Sequence, residues 1–270
     1  MNRLRVVGEL DFGLYLDGKK YGEILLPRKY VPEGLKVDDF IDVFLYVDSE
    51  DRPVATTETP YAMDGQLAYL RAVSITSIGA FLDWGLMKDL MVPFREQRER
   101  MTDGKSYIVY VYFDSTSDRM VASTKVGKYI DPKDAKYAVG DEVDLIVCNP
   151  FDRGYNVIID RKFVGVIYRN EIFQEIHEGQ ELRGYIKLVR PDGKIDVELQ
   201  RSGTEKREVL EDLILDELSG AGGFLPLTDK TPPEEIYDKY HASKRAFKRA
   251  IGGLYKKRLI AIEDQGIRLV

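Results

Sequence analysis

The sequence has one cysteine, Cys148, and two histidines, His177 and His241, in 270 residues. A lone cysteine cannot form an internal disulfide, and its place in a β-rich run favours a small buried side chain. The histidines lie far apart in sequence, and there is no Cys/His metal spacing, no P-loop and no nucleophile elbow. We therefore expect a protein that is not an enzyme and needs neither a cofactor nor a metal.

Long apolar runs are also missing. No stretch approaches the length of a membrane span, and the first residues, MNRLRVVGE, have no apolar segment of the kind found in signal peptides. Hydrophobic residues at 44% and charged residues at 32% are typical of a soluble globular protein. We expect a cytoplasmic chain with no membrane partner, long enough for two to four compact modules.

An excess of positive charge is the third absence, since the net charge is −6. Residues 1–205 contain 28 basic and 35 acidic side chains, whereas residues 206–270 contain 12 and 11. Strong, non-specific binding to a polyanion needs a net basic surface. Any nucleic acid must therefore be bound through local basic patches, with modest electrostatic affinity in the first 205 residues.

What the sequence does have is internal repetition, a strong signal of architecture. The segment FGLYLD in one copy corresponds to IGAFLD in the next, and a more diverged third copy follows. Each copy has a glycine near its start and a second corresponding position fourteen residues later, which is proline in two copies and tyrosine in the third. These pairs are Gly13 and Pro27, Gly79 and Pro93, and Gly154 and Tyr168.

Each copy has the pattern of short β-strands. Runs such as DVFLYV and YIVYVYF are β-branched and aromatic. Hairpin loops are predicted between paired runs, at residues 48–51, 114–118 and 191–193. About five strands in roughly 70 residues is typical of a Greek-key barrel. The repeated glycine is predicted to let a curved strand bend where a Cβ would clash.

Helical periodicity appears in the last quarter of the chain. One helix is predicted from Glu208, with Leu210, Leu213, Ile214 and Leu218 on one face, and it ends at Gly220, Gly222 and Gly223. A second helix starts at TPPEE, and a third starts after Ser243 as N-cap. The end of the chain, LIAIEDQGIRLV, predicts a hairpin with its turn at Gln265-Gly266.

Three helices and a hairpin indicate a winged helix whose third helix would be the recognition helix. Its inner face would be apolar, and its outer face carries only basic charges, which favours a phosphate backbone. The basic residues are Arg245, Lys248, Arg249 and Lys256. The predicted fold class is thus mainly β, with three tandem S1/OB-like barrels and an α+β winged helix. The predicted boundaries are 1–61, 62–133, 134–204 and 205–270.

Particular motifs resemble a known family. GAFLD in the second copy resembles the start of an S1 RNA-binding domain, and GVIYRNE in the third is similar to its continuation. The whole arrangement resembles the bacterial conserved virulence factor B family, above all in DLMVPFREQ and GFLPLTDK. This resemblance implies RNA binding, with regulation of gene expression as the physiological setting.

The S1 resemblance also implies which residues contact RNA. In S1 domains, aromatic side chains on strands two and three face outward, and bases stack on them. In each copy, only one of these two outward-facing positions, on strand two or on strand three, is aromatic. The implied stacking residues are Tyr15, Phe81 and Tyr168, and the implied phosphate contacts are Arg52, Arg119 and Lys125. Because stacking needs splayed bases, single-stranded RNA is the expected partner.

Alternatives remain at each of these positions. The aromatic residues could belong to the barrel cores, and the basic residues could be solvated surface charges. The acidic loop at 48–51 could suggest a metal site, although its repetition at 114–118 favours turn chemistry. The winged helix could instead bind DNA or a protein partner, with barrels that no longer bind RNA.

Overall fold

The computed structural model describes residues 1–48, 50, 52–172, 174–200, 204–240 and 242–270, with backbone only for residues 204–206. The chain forms three closed five-stranded barrels followed by a winged helix, which confirms the predicted fold class. It divides into two compact units, Met1–Tyr129 and Ile130–Val270. Barrels 1 and 2 belong to the first unit, and barrel 3 and the winged helix belong to the second. The exact domain boundaries stay predictions.

The three barrels share one strand order, in which the fifth strand lies between the third and the fourth. Barrel 1 consists of β1 (Asn2–Leu10), β2 (Gly13–Asp17), β3 (Glu23–Pro27), β4 (Phe40–Val47) and β5 (Pro53–Thr56). Barrel 2 consists of β6 (Leu67–Ile75), β7 (Gly79–Leu82), β8 (Leu90–Pro93), β9 (Ser106–Asp114) and β10 (Arg119–Ser123). Barrel 3 consists of β11 (Glu142–Phe151), β12 (Gly154–Ile159), β13 (Phe163–Tyr168), β14 (Glu181–Val189) and β15 (Ile195–Glu198).

The fourteen-residue spacing of the repeat is a strand register. Its two residues are cross-strand partners in all three barrels, since Gly13 pairs with Pro27, Gly79 with Pro93, and Gly154 with Tyr168. A Cβ on these glycines would lie only 2.3, 2.4 and 2.0 Å, respectively, from a carbonyl oxygen of the partner strand. The glycine is therefore required by close backbone approach, as the sequence predicted.

Barrels 1 and 2 are joined by side chains that cross between them. Trp84, which follows β7, is 3% exposed and packs edge-to-face on Phe44 of β4, with ring centroids 5.6 Å apart. Lys88 Nζ donates to the backbone carbonyls of Val47 and Asp48, at 2.7 Å each. Trp84 is thus buried by a contact between the two barrels.

Within the described residues, the winged helix has three helices and three strands. These are α1 (Thr204–Gly220), β16 (Phe224–Leu225), α2 (Pro233–Tyr240), α3 (Lys244–Lys256), β17 (Ile260–Glu263) and β18 (Gly266–Leu269). The predicted N-cap is confirmed, since Ser243 Oγ accepts a hydrogen bond from the Ala246 N–H at 3.2 Å. Among the described helices, none combines the length and the apolarity that crossing a bilayer requires.

The predicted turn of the terminal hairpin is wrong by one residue. Glu263 pairs with Gly266, so the turn consists of Asp264 and Gln265, and the glycine opens β18. A Cβ at Gly266 would lie 2.2 Å from the carbonyl oxygen of Leu225. The glycine is therefore required by the approach of β16, a short strand that the sequence pattern did not predict.

The apolar face of α1 also differs from the prediction at one position. Leu210, Ile214 and Leu218 are buried as expected, but Leu213 is only half-buried. The side chain of Glu211 is buried instead and pairs with Arg207 at 3.2 Å and with Lys257 at 2.6 Å. An acidic residue can occupy this face because two cations compensate its charge.

Candidate nucleic-acid interface

Tyr15 and Phe81 lie on the outer surfaces of barrels 1 and 2. Side chains alternate along a strand, and Leu14 and Leu16 on either side of Tyr15 are fully buried in the core. Phe81 lies in the same way between the buried Ala80 and Leu82. Both aromatic rings are half-buried and belong to no barrel core. The side chains therefore have the orientation that stacking on a base requires.

Tyr168 lies at the end of β13 with its hydroxyl already engaged. Arg190 Nη2 donates to the Tyr168 hydroxyl at 2.7 Å and pairs with Asp196 at 2.8 Å. The ring of Phe151 meets Tyr168 edge-on, with centroids 6.2 Å apart. Tyr155, on the neighbouring strand, packs against the barrel 3 core.

A groove of about 580 Å³ opens beside Phe81 on barrel 2. Phe94 follows β8 and lines the groove, while Phe113 near the end of β9 is 51% exposed there. Arg95 and the predicted phosphate contact Arg119 also line it. The structure thus brings two predicted residues together with three that the sequence analysis missed. The available signals were the YIVYVYF run that contains Phe113 and the Pro93-Phe94-Arg95 segment itself.

The turn that carries Phe94 and Arg95 is fixed by a buried carboxylate. Glu96 is 5% exposed, and it accepts hydrogen bonds from Lys128 Nζ at 2.8 Å and from the Tyr129 hydroxyl at 3.1 Å. Burial raises the pKa of Glu96, but hydrogen bonds from Lys128, Ser123 and Tyr129 outweigh it and hold the pKa below its ordinary value. This network anchors one wall of the groove.

Arg52 directly follows the predicted loop at 48–51 and precedes β5, and carboxylates hold its guanidinium. It donates two hydrogen bonds to Asp48, at 3.0 and 2.8 Å, and pairs with Glu50 at 2.9 Å. Burial raises the pKa of Asp48, but hydrogen bonds from Arg52 and from the Glu50 N–H outweigh this effect and hold the pKa below its ordinary value. These contacts favour turn chemistry in the acidic loop, and a phosphate would have to compete with them for Arg52.

Lys125 does not line the groove with its own side chain but contacts the backbone of Arg95, which does. Arg119 begins β10, whereas Lys125 lies two residues after the end of that strand. The Lys125 ammonium donates to the carbonyl oxygen of Arg95 at 2.5 Å, which is a structural contact. The two basic residues that flank β10 therefore do not form one patch.

The outer face of α3 is basic and exposed. Arg245, Lys248, Arg249 and Lys256 are all exposed, while Phe247, Ala250, Ile251 and Leu254 form the buried face. Lys248 pairs with Asp229 at 3.1 Å, in the segment before α2. The charge of this face is thus reduced at Lys248, which the sequence pattern of α3 alone could not show.

Comparisons with known proteins agree with this architecture. The S1 domain model matches residues 1–58 and 65–125, and the model of the CvfB-like winged helix domain matches residues 212–269. A Bacillus subtilis (strain 168) protein named "Uncharacterized protein YitL" is 28% identical, over 94% of this chain and 87% of its own length. Conserved virulence factor B of Staphylococcus epidermidis (strain RP62A) is 24% identical, over 98% of this chain and 92% of its own length.

Solved structures include a similar chain, a multidomain protein with nucleic acid binding domains from Streptococcus pneumoniae TIGR4. It is 24% identical, covers 100% of this chain and 97% of its own, and superposes with a TM-score of 0.46. The family models and the curated relatives span most of the chain, and S1 domains with a winged helix indicate nucleic-acid binding. The resemblance to the conserved virulence factor B family is therefore confirmed, since the chain matches S1 domains and a CvfB-like winged helix domain and has curated relatives of that name over most of its length.

Proposed function

We propose that this protein binds single-stranded RNA and acts in the regulation of gene expression. The observation that carries the proposal is the groove on barrel 2, where Phe81 lies beside Phe94 and the exposed Phe113. Aromatic rings at the surface of an S1-type barrel provide stacking platforms, and each stacked base contributes about 1–3 kcal/mol. A duplex keeps its bases stacked on each other, so these rings would select single strands.

The two kinds of module contribute differently to this binding. Acidic residues outnumber basic ones in the first 205 residues, so the barrels attract RNA by stacking more than by charge. The exposed basic face of α3 supplies contacts to phosphates, with Arg245 and Arg249 as its leading residues. Affinity from the winged helix should therefore fall with salt, and affinity from the barrels much less.

The alternative is a regulator that binds DNA or protein through the winged helix, with barrels that do not bind RNA. The pairing of Lys248 with Asp229 reduces the basic charge of α3 and is compatible with a protein partner. It does not account for the outward aromatic residues of three barrels. We therefore favour RNA, and treat the alternative as an outcome of the experiment.

The experiment replaces Tyr15, Phe81 and Tyr168 with alanine in the full chain. We expect affinity for a fluorescent single-stranded oligoribonucleotide to fall more than about 100-fold in an anisotropy titration, since each stacked base contributes about 1–3 kcal/mol. Control variants Tyr21→Ala and Phe40→Ala remove exposed aromatic side chains that lie outside the proposed platforms. They should bind like the parent.

Folding is checked by circular dichroism and thermal melts, which must match between the triple variant and the parent. A folded triple variant with parental affinity would contradict the stacking role and leave the protein-binding alternative ahead.

A further inference from the structure

The groove beside Phe81 has a second wall that belongs to barrel 1. Leu45, Tyr46 and Val47, at the end of β4, line it together with the barrel 2 residues. Tyr46 points away from the barrel 1 core and packs against the apolar cluster of barrel 2. Burial raises the pKa of Tyr46, with smaller contributions from Tyr30, Glu58 and Asp48. Its ring is thus partly withdrawn from water at the boundary between the two barrels.

Contacts on both sides hold this second wall in position. The Trp84 indole N–H donates to the Lys88 carbonyl at 2.5 Å, and the Lys88 ammonium donates to the carbonyls of Val47 and Asp48. The edge-to-face contact of Trp84 with Phe44 lies next to these bonds. The two walls are therefore fixed by direct hydrogen bonds and ring packing.

The dimensions and apolar lining of the groove suit a flat aromatic ligand such as a nucleobase. About 580 Å³ lies within the range of small-molecule sites, which are mostly apolar with a few polar groups. The apolar lining includes aromatic rings from both barrels. At its edge the side chain of Arg95 is 66% exposed, and it pairs with Asp114 only at 3.4 Å. The carboxylates of Asp89, Asp114 and Asp118 also line the groove, so its aromatic walls rather than its charge would hold a nucleobase.

We propose that barrels 1 and 2 form one composite pocket that holds an unstacked base of single-stranded RNA, contacted by Tyr46 as well as by Phe81. The proposal rests on the function proposed above. Under this proposal barrel 1 contacts RNA at two places, through Tyr15 on β2 and through Tyr46 on β4. Deleting the aromatic ring of Tyr46 should weaken binding as much as deleting that of Phe81.

The first test is photo-crosslinking of the full chain to a short thiouridine-labelled oligoribonucleotide, with the crosslinked peptides identified by mass spectrometry. Crosslinks should appear in β4, at residues 44–47, as well as in β7 and β8. In the Phe81→Ala variant both sets should weaken together, because the two walls hold the same base. Crosslinks confined to β7 and β8 would overturn the composite pocket.

The second test compares two substitutions of one side chain. Tyr46→Leu keeps apolar packing but removes the ring, and should weaken RNA binding about 5- to 140-fold, like Phe81→Ala. Tyr46→Phe keeps the ring and should bind like the parent, as should Tyr21→Leu, which changes an exposed tyrosine elsewhere in barrel 1. Matching far-UV circular dichroism spectra and melting temperatures show that Tyr46→Leu leaves the barrels folded.

The outcomes separate the two proposals. If Phe81→Ala weakens binding and Tyr46→Leu does not, the composite pocket is wrong, whereas RNA binding by barrel 2 stands. An equal loss in Tyr46→Phe and Tyr46→Leu would implicate the hydroxyl and overturn stacking on Tyr46. If the full chain gives no crosslink and no measurable affinity for RNA, the proposed function itself fails.

Discussion

A methyl group added at Gly253 of α3 should destabilise the winged helix, whereas one added at the adjacent Gly252 should stabilise it. A Cβ at Gly253 would lie 2.0 Å from Oε1 of Glu211, while a Cβ at Gly252 has nothing within 4 Å. The two substitutions make the same chemical change one residue apart in the same helix. They therefore isolate the effect of the close approach between α1 and α3.

The magnitude follows from opposing contributions. Alanine is favoured over glycine in a helix by about 0.8–1.0 kcal/mol, which applies at both positions. At Gly253 the methyl must displace a carboxylate that is 2% exposed and paired with Arg207 and Lys257. Breaking a fully buried pair costs about 3–5 kcal/mol, less here because both cations are about half exposed. We expect a net loss of about 1–3 kcal/mol for Gly253→Ala.

Hydrogen–deuterium exchange of the full chain measures this locally, since amide protection in α1 and α3 reports the opening free energy of the winged helix. Protection should fall about 5- to 140-fold in Gly253→Ala and rise up to about fivefold in Gly252→Ala. Barrel 1 amides serve as the internal reference. Equal effects of the two substitutions would refute the reasoning, because then the contact with Glu211 would have no energetic consequence.

Two further predictions concern charge. Replacing Arg245 and Arg249 with glutamine should make the plot of log affinity against log salt shallower, by about 0.7 for each lost contact to single-stranded RNA; an unchanged slope would mark a solvated face. Because the pKa of Glu96 is lowered by folding, its ionised form stabilises barrel 2 above the unfolded pKa, and this stability is lost as pH falls through the folded pKa. Glu96→Gln should therefore flatten the acid side of the melting-temperature profile, and a profile identical to the parent's would contradict this.

The repeat predicted the barrels because its spacing has a direct geometric meaning. The glycine and the residue fourteen positions later are cross-strand partners, and strand alternation then places Tyr15 and Phe81 outside. The helical periodicity likewise predicted the N-cap at Ser243 and the buried face of α3. These features depend on local periodicity, which a single sequence displays.

Features that depend on contacts between distant segments could not be predicted. Nothing in the pattern near Arg119 shows that Tyr46 lines the same groove, because that follows from the packing of two barrels. The role of Gly253 likewise depends on Glu211, on another helix. A basic residue in the sequence does not reveal its partner, so Lys125 and Lys248 resembled phosphate contacts although each is engaged by the protein itself.

The most direct measurement of the central claim is the affinity of the full chain for a single-stranded oligoribonucleotide and for the matched duplex, at one salt concentration. The aromatic residues of the barrels can stack only on splayed bases, so the single strand should bind at least about tenfold more tightly, the equivalent of about 1.4 kcal/mol. Equal affinities, or tighter binding of the duplex, would contradict the account, because binding would then not depend on exposed bases.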